Sequence, residues 1–302
     1  MNLKKTIKSI IGEERVKWIN TKRANLNLKI LTKSLEIATE EQGLSDLVKK
    51  LRTIVPDVSE KETGLKLEGP FWTLKVYAQY SFQMRLLLKV ISLLEPRKSK
   101  KEIIYADVGD SCGNHILFLK GLIPEKKLRT ISINIDPVAI EKVKAKGLEA
   151  IQVPVEKIES IGLKADIIAS FQMLEHLHDP ATFMYKISSQ TQCDYMVITV
   201  PYQQQSRVGM QYIRQQNKGS YLAQDVHIFE LSPEDWILLF KHSGWKHVYQ
   251  ETYYQYPRKH WLRILKKRWK RFDYEGFWGI ILERDPTWAG CYTDWQEISK
   301  IH

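Results

Sequence analysis

Residues 1–95 carry apolar positions at helical spacing, with few Gly or Pro and no strand-like alternation. Leu44, Leu47, Val48 and Leu51 make one such face, and Leu86, Leu87, Val90, Leu93 and Leu94 make another. A polar connector over residues 53–70, with Pro56, Gly64 and Gly69, separates the helical stretches. A second polar run, residues 95–101, contains Pro96 and ends the helical region. The pattern predicts two regions: residues 1–95, helical, and residues 96–302, an α/β domain.

Beyond that boundary the rhythm changes. Residues 103–108 and 166–171 are short apolar runs of the kind a strand buried on both faces requires, and residues 195–200 are a third. Residues 128–135 alternate as a strand, residues 137–146 read as a helix, and residues 150–153 as a further strand. A helix around residues 180–190 separates the fourth and fifth strands. Ser232 and Pro233 open another helix as N-cap and first helical residue. Residues 277–282 form the last strand. Strands alternating with helices imply right-handed crossovers and a mostly parallel sheet covered on both faces.

Composition sharpens this picture only in part. Of 302 residues, 43% are hydrophobic and 27% charged, enough for a packed core. Cys112, Cys193 and Cys291 are too few and too scattered for a disulfide framework or a zinc site, which fits a reducing, cytoplasmic setting. The N-terminal apolar stretch, residues 7–11, is too short for a signal peptide, and no apolar run approaches the roughly 20 residues of a membrane span. The chain is expected to be neither exported nor membrane-spanning. A net charge of +11 points to anionic partners. The excess is concentrated in residues 1–33, with nine Lys and Arg, and in residues 258–271, with eight and no acid.

Ligands of an open parallel sheet bind beyond the carboxyl ends of its strands, at the topological switch point. The first such turn here runs from Asp107 through Gly109, Asp110, Ser111 and Gly113 to Asn114. A dinucleotide fingerprint would need glycines where Gly109, Ser111 and Asn114 stand, and it would meet Asp110 where a pyrophosphate sits. The turn is therefore not expected to bind NAD.

The turn resembles the first motif of class I S-adenosylmethionine (SAM)-dependent methyltransferases, an acid followed by three alternating glycines, with Ser111 replacing the middle one. Residues 171–180, Phe-Gln-Met-Leu-Glu-His-Leu-His-Asp-Pro, are similar to the segment after the fourth strand in small-molecule members. Residues 197–201 are similar to their fifth strand. The resemblance spans about residues 100–250 and implies a Rossmann-like, mostly parallel seven-stranded sheet with helices on both faces. It also implies SAM as cofactor. Asp107, Gly109, Ser111 and Gly113 would hold its methionine end, and Asn134 or Asp136 its ribose. Val155 and Glu156 would lie by the adenine, Pro154 standing where the family often has an acid. Phe171, Gln172 and Glu175 would line the cofactor. Tyr80, Arg85 and Tyr202 would contact the acceptor. A hydroxyl acceptor needs a base with a pKa near neutrality; His176 is the first candidate and His227 the second. The acids near the strand ends are not spaced as a hard-cation cage, so no metal is expected.

Residues 257–272 read as a basic helix inserted before the last strand, with Trp261, Leu262, Leu265 and Trp269 on one face. Such a helix suits an anionic membrane surface, and Arg258 to Arg271 would give peripheral contact at the inner face of the membrane. Its apolar face could equally pack on the sheet and leave the cations solvated. Three functions are consistent with the sequence. The first is O-methylation of a small molecule, or of a sugar in a surface glycan or lipid-linked precursor. The second is methylation of nucleic acid, favoured by charge but lacking the Asn/Asp-Pro-Pro-Tyr/Phe signature after the fourth strand. The third is a silent SAM-fold binding or scaffold protein, suggested by Ser111, Asn134 and Pro154.

Overall fold

The computed structural model describes residues 13–58, 69–94, 102–222, 226–272 and 274–295, with side chains from residue 26 on except 271 and 272. The expectations for residues 1–11, for the boundary at 95–101 and for most of the connector lie outside the described residues.

Helices α1 (Glu13–Glu41), α2 (Ser45–Ile54) and α3 (Pro70–Leu94) open the chain. Helix α3 is apolar almost all round, and a helix of that kind belongs inside. It packs on α1 and α2 and also against the sheet, where Phe82, Leu86 and Leu87 are fully buried.

Among the described residues nine strands follow, seven of them in one sheet of order β3-β2-β1-β4-β5-β9-β8. They are β1 (Ile103–Val108), β2 (Leu128–Asn134), β3 (Glu149–Gln152), β4 (Lys164–Phe171), β5 (Gln192–Pro201), β8 (Trp245–Tyr254) and β9 (Gly276–Arg284). The first five pair in parallel, and β9 runs antiparallel between β5 and β8. Helices α4 (Asn114–Leu122), α5 (Pro137–Ala145), α6 (Pro180–Gln190) and α8 (Pro233–His242) cover the faces. A short helix α7 (Gln211–Arg214) and a two-stranded ladder of β6 (Arg207–Val208) and β7 (Phe229–Glu230) lie between β5 and α8. The seven-stranded, mostly parallel fold expected from the sequence is the one observed.

Alternation along the strands builds two cores. In β1, Tyr105 joins the core shared with the N-terminal helices, while Ala106 and Val108 join the core on the opposite face. Caps fix the helix starts: Asp136, Asp179 and Ser232 each accept a backbone N–H at the entry to α5, α6 and α8.

The basic segment departs from the expected single helix. Residues Trp261–Leu265 form a 3-10 turn, followed by α9 (Lys266–Phe272). In a 3-10 turn residues i and i+3 eclipse, so Leu262 and Leu265 share one edge and Trp261 and Ile264 another. Leu262, Leu265 and Trp269 are buried, and Trp269 donates to Ser34 Oγ at 3.2 Å. Trp261 and Ile264 are 68% and 69% exposed. Trp261 is thus not on the buried face, because the tighter winding moves it a step round the axis.

Candidate active site

Strands β1, β2, β4 and β5 end along one edge, and the order reverses between β1 and β4. The turn after β1 stands at that switch point. Gly109 has φ +86° and Gly113 φ +80°, backbone that side chains rarely tolerate. A Cβ on Gly109 would also stand 3.0 Å from Met173 Cγ, so a side chain there would push away the loop after β4.

Three ionisable groups converge beneath this turn. Asp107 is 1% exposed, and its Oδ2 accepts the Tyr105 hydroxyl at 2.9 Å. The same oxygen lies 3.2 Å from His115 Nδ1, and Asp110 Oδ1 lies 3.7 Å from it. Both contacts are within ion-pair distance. His115 Nε2 meets Gln83 Oε1 at 2.9 Å. Burial opposes charge on His115, but Asp107 and Asp110 together raise its pKa to about 9. Burial raises the Asp107 carboxyl, and His115 offsets only part of that. His115 and Gln83 were missed in the sequence. Gln83 reaches the site from α3, a helix whose pattern reads only as core.

Asn134 ends β2 with its amide already committed. Its Nδ2 donates to the Asp110 carbonyl at 3.0 Å and its Oδ1 accepts from Asp136 N at 2.9 Å. Asp136 Oδ1 caps α5 by accepting Val138 N at 2.8 Å. Beside them Ile135 and Val138 are 59% and 52% exposed, an apolar surface at a strand end. Val155 and Glu156 open a 3-10 turn after β3, with Glu156 exposed.

The loop after β4 brings the remaining groups together. Phe171 packs its ring 4.7 Å from that of His115. Gln172 takes φ +56°, strained for a non-glycine residue, and its side chain donates to Thr199 Oγ1 at 3.1 Å. Glu175 is 1% exposed, and burial pushes its carboxyl up to about 7 against the pull of His227. Its carbonyl accepts Ile228 N at 2.7 Å, which pins the segment carrying His227 to this loop. His176 donates from Nδ1 to the Val226 carbonyl at 3.1 Å, and its ring stands 4.6 Å from that of His227. The Tyr274 hydroxyl lies 2.6 Å from His227 Nδ1 and donates to Glu230 Oε1 at 2.9 Å. With that hydroxyl proton given to Glu230, it accepts from Nδ1–H, and Nε2 is the basic nitrogen of His227. Burial would raise the Glu230 carboxyl, but hydrogen bonds with His227, Arg207 and Tyr274 hold it down at about 2. Gly209 lets this strap close, since a Cβ there would fall 2.2 Å from the His227 carbonyl oxygen. Tyr274 and Glu230 were also missed, being distant in the chain from the motifs they serve.

Of the expected acceptor residues only Tyr202 faces open space. It lines a cavity of 80 Å³ with Arg207, Lys270, Tyr274 and Glu275, and burial pushes its phenol up to about 12. Tyr80 packs instead on His115 and Phe118, beside the glycine turn. Arg85 is used elsewhere: it donates to the Gln42 carbonyl and to Glu251 Oε1, both at 2.6 Å, and so ties the end of α1 to β8.

A family model described as "Methyltransferase domain" matches residues 79–250, from the second half of α3 through most of β8. The chain belongs to this family of SAM-dependent class I methyltransferases. Several solved structures are similar to the methyltransferase. The 1,6-didemethyltoxoflavin-N1-methyltransferase of Burkholderia thailandensis, solved with 1,6-didemethyltoxoflavin and S-adenosylhomocysteine, is 12% identical at a TM-score of 0.48, covering 69% of this chain and 79% of that one. A Haloferax volcanii methyltransferase in complex with the Trm112 activator is 13% identical at 0.44, covering 63% and 86%. A SAM-dependent methyltransferase from Aquifex aeolicus is 14% identical at 0.40, covering 63% and 87%. No curated protein matches the sequence.

The residues present fit the family's cofactor. Asp107 Oδ1 is buried with no hydrogen-bond partner among the described residues, which suits a cationic ligand end at the turn. Exposed Ile135 and Val138 offer an apolar surface for a flat base.

Proposed function

We propose that this methyltransferase moves the methyl group of SAM to a hydroxyl oxygen of a small molecule, or of a sugar in a surface glycan or lipid-linked precursor. The observation that carries this reading is the Glu175–His176–His227 cluster, backed by Tyr274 and Glu230, which stand at the same strand ends as the glycine turn. SAM supplies a methyl carbon activated by its sulfonium. The chain's residues hold the two partners and manage one proton.

Asp107, Gly109, Ser111 and Gly113 receive the methionine end, with Phe171, Gln172 and Glu175 along the same edge. Asp136, the acid left partly exposed after β2, holds the ribose, while Asn134 keeps the turn in shape. Val155 and Glu156 flank the adenine. Tyr202 and its cavity take the acceptor. With the methyl donor bound, methylation of the acceptor oxygen would release the hydroxyl proton to this cluster. His227 Nε2 is the first candidate to take it and His176 the second. The His227 imidazolium then shares its charge through Tyr274 with the Glu230 carboxylate.

The test is transfer of labelled methyl from SAM to a panel of sugars and small phenols. His227→Ala should lower kcat by about 10²–10⁴, the usual worth of a positioned base, with S-adenosylhomocysteine affinity unchanged. Label on nitrogen alone would refute oxygen as the acceptor, and label on nucleic acid alone would refute the small-molecule or glycan acceptor.

A further proposal concerns where the enzyme works. Exposed Trp261 and Ile264 stand side by side among the exposed cations Lys259, Arg263 and Lys267. Apolar tips within a basic patch favour an anionic membrane surface. No helix of the described residues is long and apolar enough to cross a membrane.

A further inference from the structure

The linear spacing of Glu175, His176 and His227 resembles no metal motif, yet the fold gathers them. One donor atom from each lies within 4.8 Å of the others. We propose that this cluster binds a divalent first-row transition metal, with the two imidazoles and the Glu175 carboxylate as ligands.

Three observations support this. Glu175 is 1% exposed, and neither oxygen of its carboxylate takes a hydrogen bond from another residue among the described residues. A carboxylate so placed lacks the partner that buried charge requires, and a cation is such a partner. Both histidines are held from behind. His176 Nδ1 faces the Val226 carbonyl at 3.1 Å, and His227 Nδ1 faces the Tyr274 hydroxyl at 2.6 Å, itself bonded to Glu230. Metal-binding imidazoles show this arrangement: the second ring nitrogen is fixed by a carbonyl or carboxylate, which sets the tautomer and orients the ring. Finally, two imidazoles and one carboxylate suit first-row metals with open coordination positions, not Ca²⁺ or Mg²⁺. Donors about 2.1 Å from an ion stand roughly 3–3.5 Å apart, so the cluster must contract by up to about 1.5 Å, within the reach of side-chain rotation.

The location of this site beside the acceptor rests on the functional reading above, and its chemistry deepens it. With an ion bound, the imidazole nitrogens are ligands and no longer accept the proton. An ion held by Glu175, His176 and His227 would acidify a bound acceptor hydroxyl, whose proton would then leave to water.

The test uses the full chain, stripped with a chelator and dialysed, titrated with Co²⁺ followed by visible absorption and with Zn²⁺ followed by calorimetry. One ion per chain and Co²⁺ ligand-field bands are expected. Glu175→Gln should weaken binding by about 10-fold or more, by analogy with losses seen on weakening a metal's surroundings. The double variant His176→Ala/His227→Ala, checked for fold by circular dichroism, should bind none and lose the bands. Absence of saturable Co²⁺ binding in the wild type, or wild-type binding by the folded double variant, overturns the proposal. S-adenosylhomocysteine is titrated in parallel, in the presence of chelator. Homocysteine-product binding without any metal binding overturns the metal site alone. Metal binding without product binding upholds the metal site and counts against the methyltransferase reading.

Discussion

His115 sits between two acids, with its second nitrogen on Gln83, and this arrangement makes its charge part of the folded state. Its pKa is about 9 when folded, against about 6.5 in an unfolded chain. A group raised in this way stabilises the fold fully below about pH 6.5 and loses that contribution as pH rises through about 9. The loss amounts to at most about 3 kcal/mol for a shift of this size. Thermal melts at pH 6.5 and pH 9 should therefore show a larger fall in Tm for the wild type than for His115→Gln. Equal falls would show that folding leaves the imidazole's pKa unshifted. At this scale the sequence showed Asp107, Gly109 and Gly113, because each serves a local backbone geometry. It did not show His115 and Gln83, whose roles exist only once α3 crosses the end of the sheet.

The basic segment shows how an element's winding decides which residues meet solvent. Lys266 and Lys270 lie 3.3 and 3.8 Å from Glu275, and Trp269 is buried, so this part belongs to the fold. Trp261, Ile264, Arg263 and Lys267 are among the side chains presented outward. Co-sedimentation with anionic vesicles at low salt should therefore be lost in Trp261→Ala/Ile264→Ala and reduced in Arg263→Glu/Lys267→Glu. It should also fade between 0.1 and 1 M salt, as the Debye length falls from about 10 to about 3 Å. Binding that ignores all four side chains would return the segment to a solvated face. The same logic explains which elements were legible. Strands β1, β4 and β5 lie inside the sheet and read as mostly apolar runs. Strand β8 is at the edge, largely exposed, and its sequence Trp-Lys-His-Val-Tyr-Gln-Glu-Thr-Tyr-Tyr carries too weak an alternation to declare itself. The 3-10 turn was hidden because its apolar residues fit an α-helical face almost as well.

Across the whole molecule, one edge of the sheet collects every group assigned a chemical role. The glycine turn, the ends of β2 and β4, the strap carrying His227 and the Tyr274 segment before β9 come from distant parts of the chain. The topology brings them together because β9 runs antiparallel, so its start lies beside the ends of its neighbours. Motifs in the correct order made the turn after β1 and the loop after β4 readable from sequence. The acceptor side depends on contacts between segments about 50 or more residues apart, such as His176 with Val226 and His227 with Tyr274, and no local pattern records them. The central claim is that this edge binds SAM and its demethylated product. Calorimetric titration with both, on the wild type and on Asp136→Asn, tests it most directly. Asparagine keeps the cap on α5 and removes the charge, so fold stability should hold while affinity falls by about 1–2 kcal/mol. The account predicts one molecule bound per wild-type chain, weakened by that substitution. No heat of binding from either compound at concentrations up to about 1 mM, where even an interaction of about 4 kcal/mol would register, would contradict it.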